Sequence, residues 1–160
     1  MIRHILLCAA LLLAPLFAAS GLAAAENAAA PTTREQLVAF VKEGVAHART
    51  AGREAAFKDF QDDKGAWKRG ELYVYAYDQE GVCLAHGAKP ALVGKKLIAM
   101  QDKRGRKLIQ ELREAAGKGG GFVEFYWENP TSRKVERKLG YAEAVDATCW
   151  LGSGIYLGDE

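Results

Sequence analysis

Phe122-Val123-Glu124-Phe125-Tyr126-Trp127, then Asn129-Pro130-Thr131-Ser132, then Val135-Glu136-Arg137-Lys138-Leu139-Gly140-Tyr141-Ala142-Glu143-Ala144-Val145, is the stretch on which the fold turns. Two runs rich in aromatic and β-branched residues flank a cluster of turn formers, the pattern of an antiparallel hairpin. If the chain reverses about Ser132, residues whose numbers sum to about 264 oppose each other. Tyr126 then faces Lys138, Glu124 faces Gly140, and Phe122 faces Ala142. Gly140, Ala142 and Ala144 leave room above that face, with Tyr126 and Lys138 as polar groups at its edge. The other face carries Val123, Phe125, Trp127, Leu139, Tyr141 and Val145, an apolar surface that a helix can cover.

Working outward, Asp146-Ala147-Thr148 leads into a third strand, Cys149 to Leu157. Upstream, Leu72-Tyr73-Val74-Tyr75-Ala76-Tyr77 and Val82-Cys83-Leu84-Ala85-His86 flank a turn at Asp78-Gln79-Glu80-Gly81, a second hairpin. Leu108, Ile109, Leu112, Ala115 and Ala116 mark a short helix that stops at Lys118-Gly119-Gly120-Gly121. Near the start, Thr33-Arg34-Glu35-Gln36 has capping-box spacing. Leu37, Phe40, Val41, Val45, Ala48, Ala55, Ala56 and Phe60 then recur at helical intervals over about seven turns, interrupted by Gly44 and Gly52. Helix, two strands, helix, three strands is the order of an α+β domain with one five-stranded antiparallel sheet.

With 160 residues, 49% apolar and 26% charged, the chain has the size and composition of a single folded domain. Ile5 to Ala25 is almost without polar atoms and ends in small residues, which reads as a secretory signal peptide over 1–25, followed by a linker over 26–32 and the domain over 33–160. The competing reading is an uncleaved inner-membrane anchor with the domain facing the periplasm, since about 20 apolar residues span a bilayer. Pro15, Ser20 and the Ala-rich end favour cleavage and a periplasmic location; Cys8 follows Leu6-Leu7 and does not suit lipid attachment. After Ala25 no second run in this sequence approaches spanning length, and no attached output domain is expected.

Arg3 is the one formal charge before Ala25, so the mature chain stays close to neutral, which argues against nucleic acid as a partner. The basic runs at Lys95-Lys96 and Lys103-Arg104-Gly105-Arg106-Lys107 read as wet surface. Export places Cys83 and Cys149 where thiols often pair, and the disulfide stays open, although strands separated by a neighbour hold Cα atoms beyond the ~7 Å limit. No Cys-x-x-Cys or paired-histidine spacing suggests a metal, and no cofactor is expected. Asp62-Asp63-Lys64-Gly65 lacks the glutamate of a calcium loop. Gly152-Ser153-Gly154 lies in a strand without the strand-to-helix turn of a nucleophile elbow, and Gly117 to Gly121 lacks the context of a phosphate loop.

Six short matches, in order, carry a family likeness: Tyr73-Val74-Tyr75-Ala76-Tyr77-Asp78; Gly81 through Ala85-His86-Gly87; Leu92-Val93-Gly94-Lys95-Lys96-Leu97; Gly121-Phe122-Val123 with Tyr126-Trp127; Lys138-Leu139-Gly140-Tyr141; and Gly152-Ser153-Gly154-Ile155-Tyr156. From about Leu37 to the C-terminus the sequence closely resembles single Cache domains. That resemblance implies a PAS-like five-stranded sheet behind a long N-terminal helix, with a pocket on the other face. It also implies an extracytoplasmic sensor of small carboxylates such as acetate, propionate, lactate or pyruvate, working with a membrane receptor or kinase. Family members usually sit between two membrane segments, whereas one at most is expected here, and Gly140 stands where a hydroxyl side chain is frequent.

Lys138 is the residue on which the ligand reading depends, because a lysine facing a sheet surface loses hydration unless an anion meets it. Snorkelling to solvent, or pairing with Glu124, Glu128 or Glu136, is the structural alternative. His86, Tyr75, Tyr77 and Tyr126 complete the candidate ligand set, with Tyr141 included only if a bulge re-aims it. Three functions follow: a sensory module binding a short-chain carboxylate, a periplasmic protein-interaction domain with a vestigial pocket, or, opposed by the lack of a nucleophile and base set, a hydrolase. The oligomeric state is not readable from the sequence.

Overall fold

The computed structural model describes residues 33–158. The expected leader, linker and membrane anchor, and Cys8, lie outside the described residues. Among those described, no helix is long and apolar enough to cross a membrane.

The capping box forms: Thr33 Oγ1 accepts from the Gln36 amide at 3.1 Å and Gln36 Oε1 accepts from the Thr33 amide at 3.2 Å. Helix α1 (Arg34–Thr50) runs from it and buries Leu37, Phe40, Val41, Val45 and Ala48. The single long helix is corrected to two, because Gly52 adopts φ +85 and breaks the ladder before α2 (Arg53–Asp59). Gly44 passes inside α1 without a break.

Strands β1 (Lys68–Arg69) and β2 (Leu72–Tyr73) form a small ribbon. The expected strand from Leu72 divides at Val74, whose carbonyl accepts from the Gly87 amide at 2.9 Å, and continues as β3 (Tyr75–Asp78). Then come β4 (Cys83–His86), a 3-10 turn at Pro90–Leu92, helix α3 (Leu108–Gly117), β5 (Gly121–Glu128), β6 (Val135–Ala144) and β7 (Cys149–Tyr156). The expected five-stranded antiparallel sheet is present, in the order β4-β3-β7-β6-β5.

Each edge strand is held by a loop. At β4, the Cys83 amide donates to the Lys95 carbonyl at 2.9 Å and the Gly94 amide donates to the Cys83 carbonyl at 2.8 Å. At β5, the Tyr126 amide donates to Asp102 Oδ2 at 3.0 Å. Helix α1 covers one face of the sheet over β6 and β7, with Tyr141, Val145 and Leu151 beneath it. Helix α3 covers the other, over Val123, Phe125 and Ala142. Cys83 and Cys149 are both free thiols, on strands separated by β3 and packed in different clusters on the two sides of the sheet.

The hairpin register differs from the sequence reading by one residue. The pairs sum to 263: Phe125 opposes Lys138, Tyr126 opposes Arg137 and Val123 opposes Gly140. The cause is an even loop. Asn129 Oδ1 accepts from the Thr131 amide at 2.8 Å and the Ser132 amide at 3.4 Å, while Arg133 takes φ 62 and donates its amide to the Asn129 carbonyl at 2.9 Å. Four residues, Pro130 to Arg133, therefore form the turn, and one step of register exchanges the faces.

The two glycines of the first helical run make opposite predictions. A Cβ on Gly44 meets Leu151 Cδ1 at 3.5 Å, ordinary contact, so Gly44→Ala should raise stability by about 0.5–1 kcal/mol. Gly52→Ala forces a side chain into the left-handed region and should lower it by about 1–2 kcal/mol. Urea melts of both variants check the pair.

Candidate functional site

The corrected register assembles the site. Side chains alternate across a pleated sheet, so Lys138 and Gly140 on β6 share a face with Phe125 and Trp127 on β5, and with Gly152, Gly154 and Tyr156 on β7. Tyr75 pairs with Gly152 on one side and His86 on the other, which brings β3 and β4 into the same surface. Between this surface and α3 lies a cavity lined by Tyr73, Tyr75, Tyr77, His86, Lys138 and Trp127, with Phe125 and the α3 residues Leu108, Ile109 and Leu112. Its free volume is about 10 Å³, room for about one water.

Lys138 is 0% exposed. Nζ sits 4.0 Å from the ring centre of Tyr73, 4.6 Å from that of Tyr156 and 5.8 Å from that of Tyr75, an aromatic cage on three sides. Its hydrogen bond, to the Tyr156 hydroxyl, is long at 3.4 Å. Each carboxylate considered as a partner is engaged elsewhere: Glu128 with Lys89 at 2.8 Å, Glu124 with Arg137 at 3.6 Å, and Glu136 with Asn129 and Ser132. Glu71 acts on Lys138 only as a more distant charge and receives Asn129 Nδ2 at 2.6 Å. Loss of hydration therefore drives the amine well below its ordinary pKa, against the weaker opposing pull of Glu71.

This burial depends on glycine at β7. A Cβ on Gly154 would lie 2.6 Å from Lys138 Cε, and one on Gly152 would lie 2.8 Å from Tyr75 Cε2. The bare strand lets the lysine stem and the tyrosine ring lie against the sheet.

His86 is buried in the cavity wall, 5.1 Å from the Tyr73 ring and 6.0 Å from that of Trp127. Its Nδ1 accepts from the amides of Lys89 at 2.9 Å and Ala88 at 3.3 Å, which leaves Nε2 as the protonated nitrogen of the neutral ring. Burial first, then the charges of Lys138 and Lys89, hold its pKa down to about 3. Tyr75 donates its hydroxyl to the Ser153 carbonyl at 3.1 Å, and Tyr156 donates to the Glu128 carbonyl at 2.8 Å. Desolvation keeps Tyr73, Tyr75, Tyr77 and Tyr156 protonated. Ser153 donates its hydroxyl to the Tyr73 carbonyl at 2.7 Å, a structural bond between strands.

Of the residues expected at the site, Tyr75, Tyr77, His86 and Lys138 come together in the cavity wall. Tyr126 and Tyr141 do not: both lie on the other face by alternation. The Tyr126 ring centre lies 3.9 Å from Lys103 Nζ and 4.7 Å from the Arg104 guanidinium, and Tyr141 donates to Glu143 at 3.1 Å and packs on Phe122. Val123, Phe125 and Trp127, expected beneath the long helix, face α3 instead. Tyr73 and Trp127 were missed as wall residues, and Tyr156 as a neighbour of Lys138; a hairpin turn counted with four loop residues would have put Trp127 and Phe125 beside Lys138.

Comparison with known proteins agrees with this architecture. The family model described as "Single Cache domain 2" matches residues 38–159. The sensor histidine kinase MctS of Rhizobium johnstonii is 31% identical over 88 residues, 54% of this chain, and the chain spans only 19% of that kinase. The crystal structure of a methyl-accepting chemotaxis protein from Vibrio parahaemolyticus is 32% identical, with a TM-score of 0.69 over 77% of this chain and 87% of that one. A Cache chemosensory domain studied for carboxylic acid recognition is 24% identical, with a TM-score of 0.63 over 77% of this chain and 92% of that one, a likeness of fold.

Because His86 is neutral in the fold at about pKa 3 and ordinary at 6.5 when unfolded, the unfolded chain takes up the extra proton as pH falls. The stability associated with neutral His86 is therefore complete above 6.5 and declines towards 3, by about 1.4 kcal/mol per pH unit. Thermal melts between about pH 7 and about pH 4 should fall more steeply for the wild type than for His86→Gln. Parallel curves would refute the buried neutral histidine.

Proposed function

The chain belongs to the single Cache domain 2 family, and from that premise we propose that it is an exported sensory module that binds a short-chain carboxylate without altering it. The observation that carries this reading is Lys138: fully buried, caged by tyrosines, and without a carboxylate partner among the described residues. An anion entering the cavity supplies the missing counter-charge, and a charge-assisted bond in so dry a site is strong. His86 Nε2–H is a second donor in the same wall, and Phe125, Leu112 and Ile109 give a short alkyl tail an apolar seat.

Acetate, propionate, lactate and pyruvate are small ligands of the right charge. The chemotaxis protein and the histidine kinase among its relatives support a signalling context, with a membrane receptor or kinase as partner. The leader over 1–25 supports a periplasmic location, either released or anchored in the inner membrane by that segment. A cavity of about 10 Å³ is smaller than any of these acids, so binding has to move side chains of the wall. The same tightness favours a second reading, in which the pocket is vestigial and the domain docks a protein.

The test is a thermal-shift screen of the protein against C2 to C4 carboxylates, amino acids and amines, followed by calorimetry. A saturating carboxylate should add about 2.7 kcal/mol at 100 times its dissociation constant. Lys138→Met should weaken binding by about 2 kcal/mol or more, roughly thirtyfold. Silence across the panel would select the docking reading, and unchanged affinity in Lys138→Met would remove Lys138 from the site. The pH dependence has a definite sign. Above the depressed value of Lys138 the free site is neutral and the complex carries an ammonium, so carboxylate binding takes up one proton and affinity falls by about tenfold per pH unit. Calorimetry in two buffers of different ionisation enthalpy reads that proton directly.

A further inference from the structure

A cavity of about 10 Å³ admits a small acid only if part of its wall moves, and the wall is not equally firm all round. Its floor is the sheet, and α3 closes it with Leu108, Ile109 and Leu112, each 2% exposed or less. At the turn of the β5–β6 hairpin, the buried amide of Asn129 donates to Glu71 at 2.6 Å and to Glu136 at 2.8 Å, while its Oδ1 takes two turn amides. That corner is fixed as well. Beside it stands Trp127, half-buried, whose ring lines the cavity 6.0 Å from that of His86 and whose N–H engages the Tyr73 hydroxyl. Lys89 Nζ lies 5.3 Å from the centre of the same ring and bonds Glu128 Oε2 at 2.8 Å. Lys89 follows β4 and Glu128 ends β5, the two edge strands, with β3, β7 and β6 between them, so this one ion pair spans the seam where the edges of the curled sheet meet. Both side chains are about a third exposed. The hydrogen bond and charge of Lys89 hold the Glu128 carboxyl below its ordinary pKa, so the pair is ionised. An exposed ion pair is weak and screened by salt, and a cation over a partly exposed ring adds about as much again.

We propose that the Lys89–Glu128 pair is a clasp and the Trp127 ring the gate it holds: release of the pair lets the indole swing out and opens the cavity to solvent between the ends of β4 and β5. An indole is bulkier than acetate, propionate, lactate or pyruvate, so its departure makes the room that the closed wall lacks. As a route for ligand the gate rests on the binding reading above; as a motion of the wall it stands without it. Segments held by few and exposed contacts open first, while the strands and α3 around them stay packed.

The Trp127 indole N–H is buried and reports the gate without any ligand; the indole N–H of Trp150, buried but outside the cavity wall, is the internal control. Measured by NMR, exchange of the Trp127 N–H with solvent should be about tenfold faster in Lys89→Met, which removes both the ion pair and the cation over the ring. In Glu128→Gln, which removes the pair alone, it should be about threefold faster. Trp150 should exchange at the wild-type rate in both. Raising the salt from about 0.02 M to about 0.5 M should speed Trp127 exchange in the wild type and leave Lys89→Met unchanged. The reversed pair, Lys89→Glu with Glu128→Lys, should exchange more slowly than either reversal alone. Trp127 exchange that is unchanged in Lys89→Met, or that rises in step with Trp150, would overturn the gate. With propionate or lactate as ligand, Lys89→Met should raise the association and dissociation rates together and leave the dissociation constant within about threefold. A change confined to the dissociation rate would make Lys89 a ligand contact and overturn the gate while the carboxylate reading stands. If neither acid binds, the carboxylate reading fails and the exchange rates alone decide the gate.

Discussion

A lysine amine can be sealed inside this sheet because nothing but backbone lies beneath it. Lys138 crosses Gly154 at a distance no Cβ would allow, and Tyr75 crosses Gly152 in the same way. The aromatic cage, the neutral histidine and the donor-rich cavity all follow from that approach. A side chain at Gly154 would push the lysine towards α3, away from the Tyr73 and Tyr156 rings that shield it. The glycines of β7 therefore set the depth of the site, and the tyrosines around them set its dryness. Desolvation of Lys138 is the electrostatic consequence, and among the described residues the distant charge of Glu71 offsets it only in part.

Most of the fold was legible from periodicity. The capping box at Thr33, the helix ending in Lys118-Gly119-Gly120 and the strands after Gly121, Ser132 and Thr148 all appear where local chemistry places them. What was not legible depended on backbone angles. Gly52 splits one amphipathic run into two helices, an event that the spacing of Val45, Ala48, Ala56 and Phe60 conceals. Arg133 takes a left-handed conformation that only glycine or asparagine would have advertised, and so the hairpin turn was miscounted by one residue.

That miscount shows which parts of a site survive an error of register. Lys138, Gly140 and Ala142 kept their common face, because residues two apart on one strand stay together whatever the partner does. Their companions on β5 changed wholesale: Tyr126 moved out, and Phe125 and Trp127 moved in. His86 and Tyr75 are untouched by the miscount because their pairing belongs to a different hairpin, which carries a bulge between Ala76 and Tyr77. Tyr73 and Tyr156 reach Lys138 from strand ends, where alternation gives little guidance about the direction of a long side chain.

The loops along β4 and β5 have a consequence for behaviour in a crowded compartment. An open sheet edge is a template on which a second chain can add a strand, and five-stranded open sheets carry two such edges. Here the Cys83 amide is already taken by Lys95, and the Tyr126 amide by Asp102. Lys95, Lys103 and Arg104 border those same edges with positive charge. Self-templated β-aggregation is thereby opposed at both ends of the sheet, by prior occupancy of its hydrogen bonds and by mutual repulsion of like-charged borders.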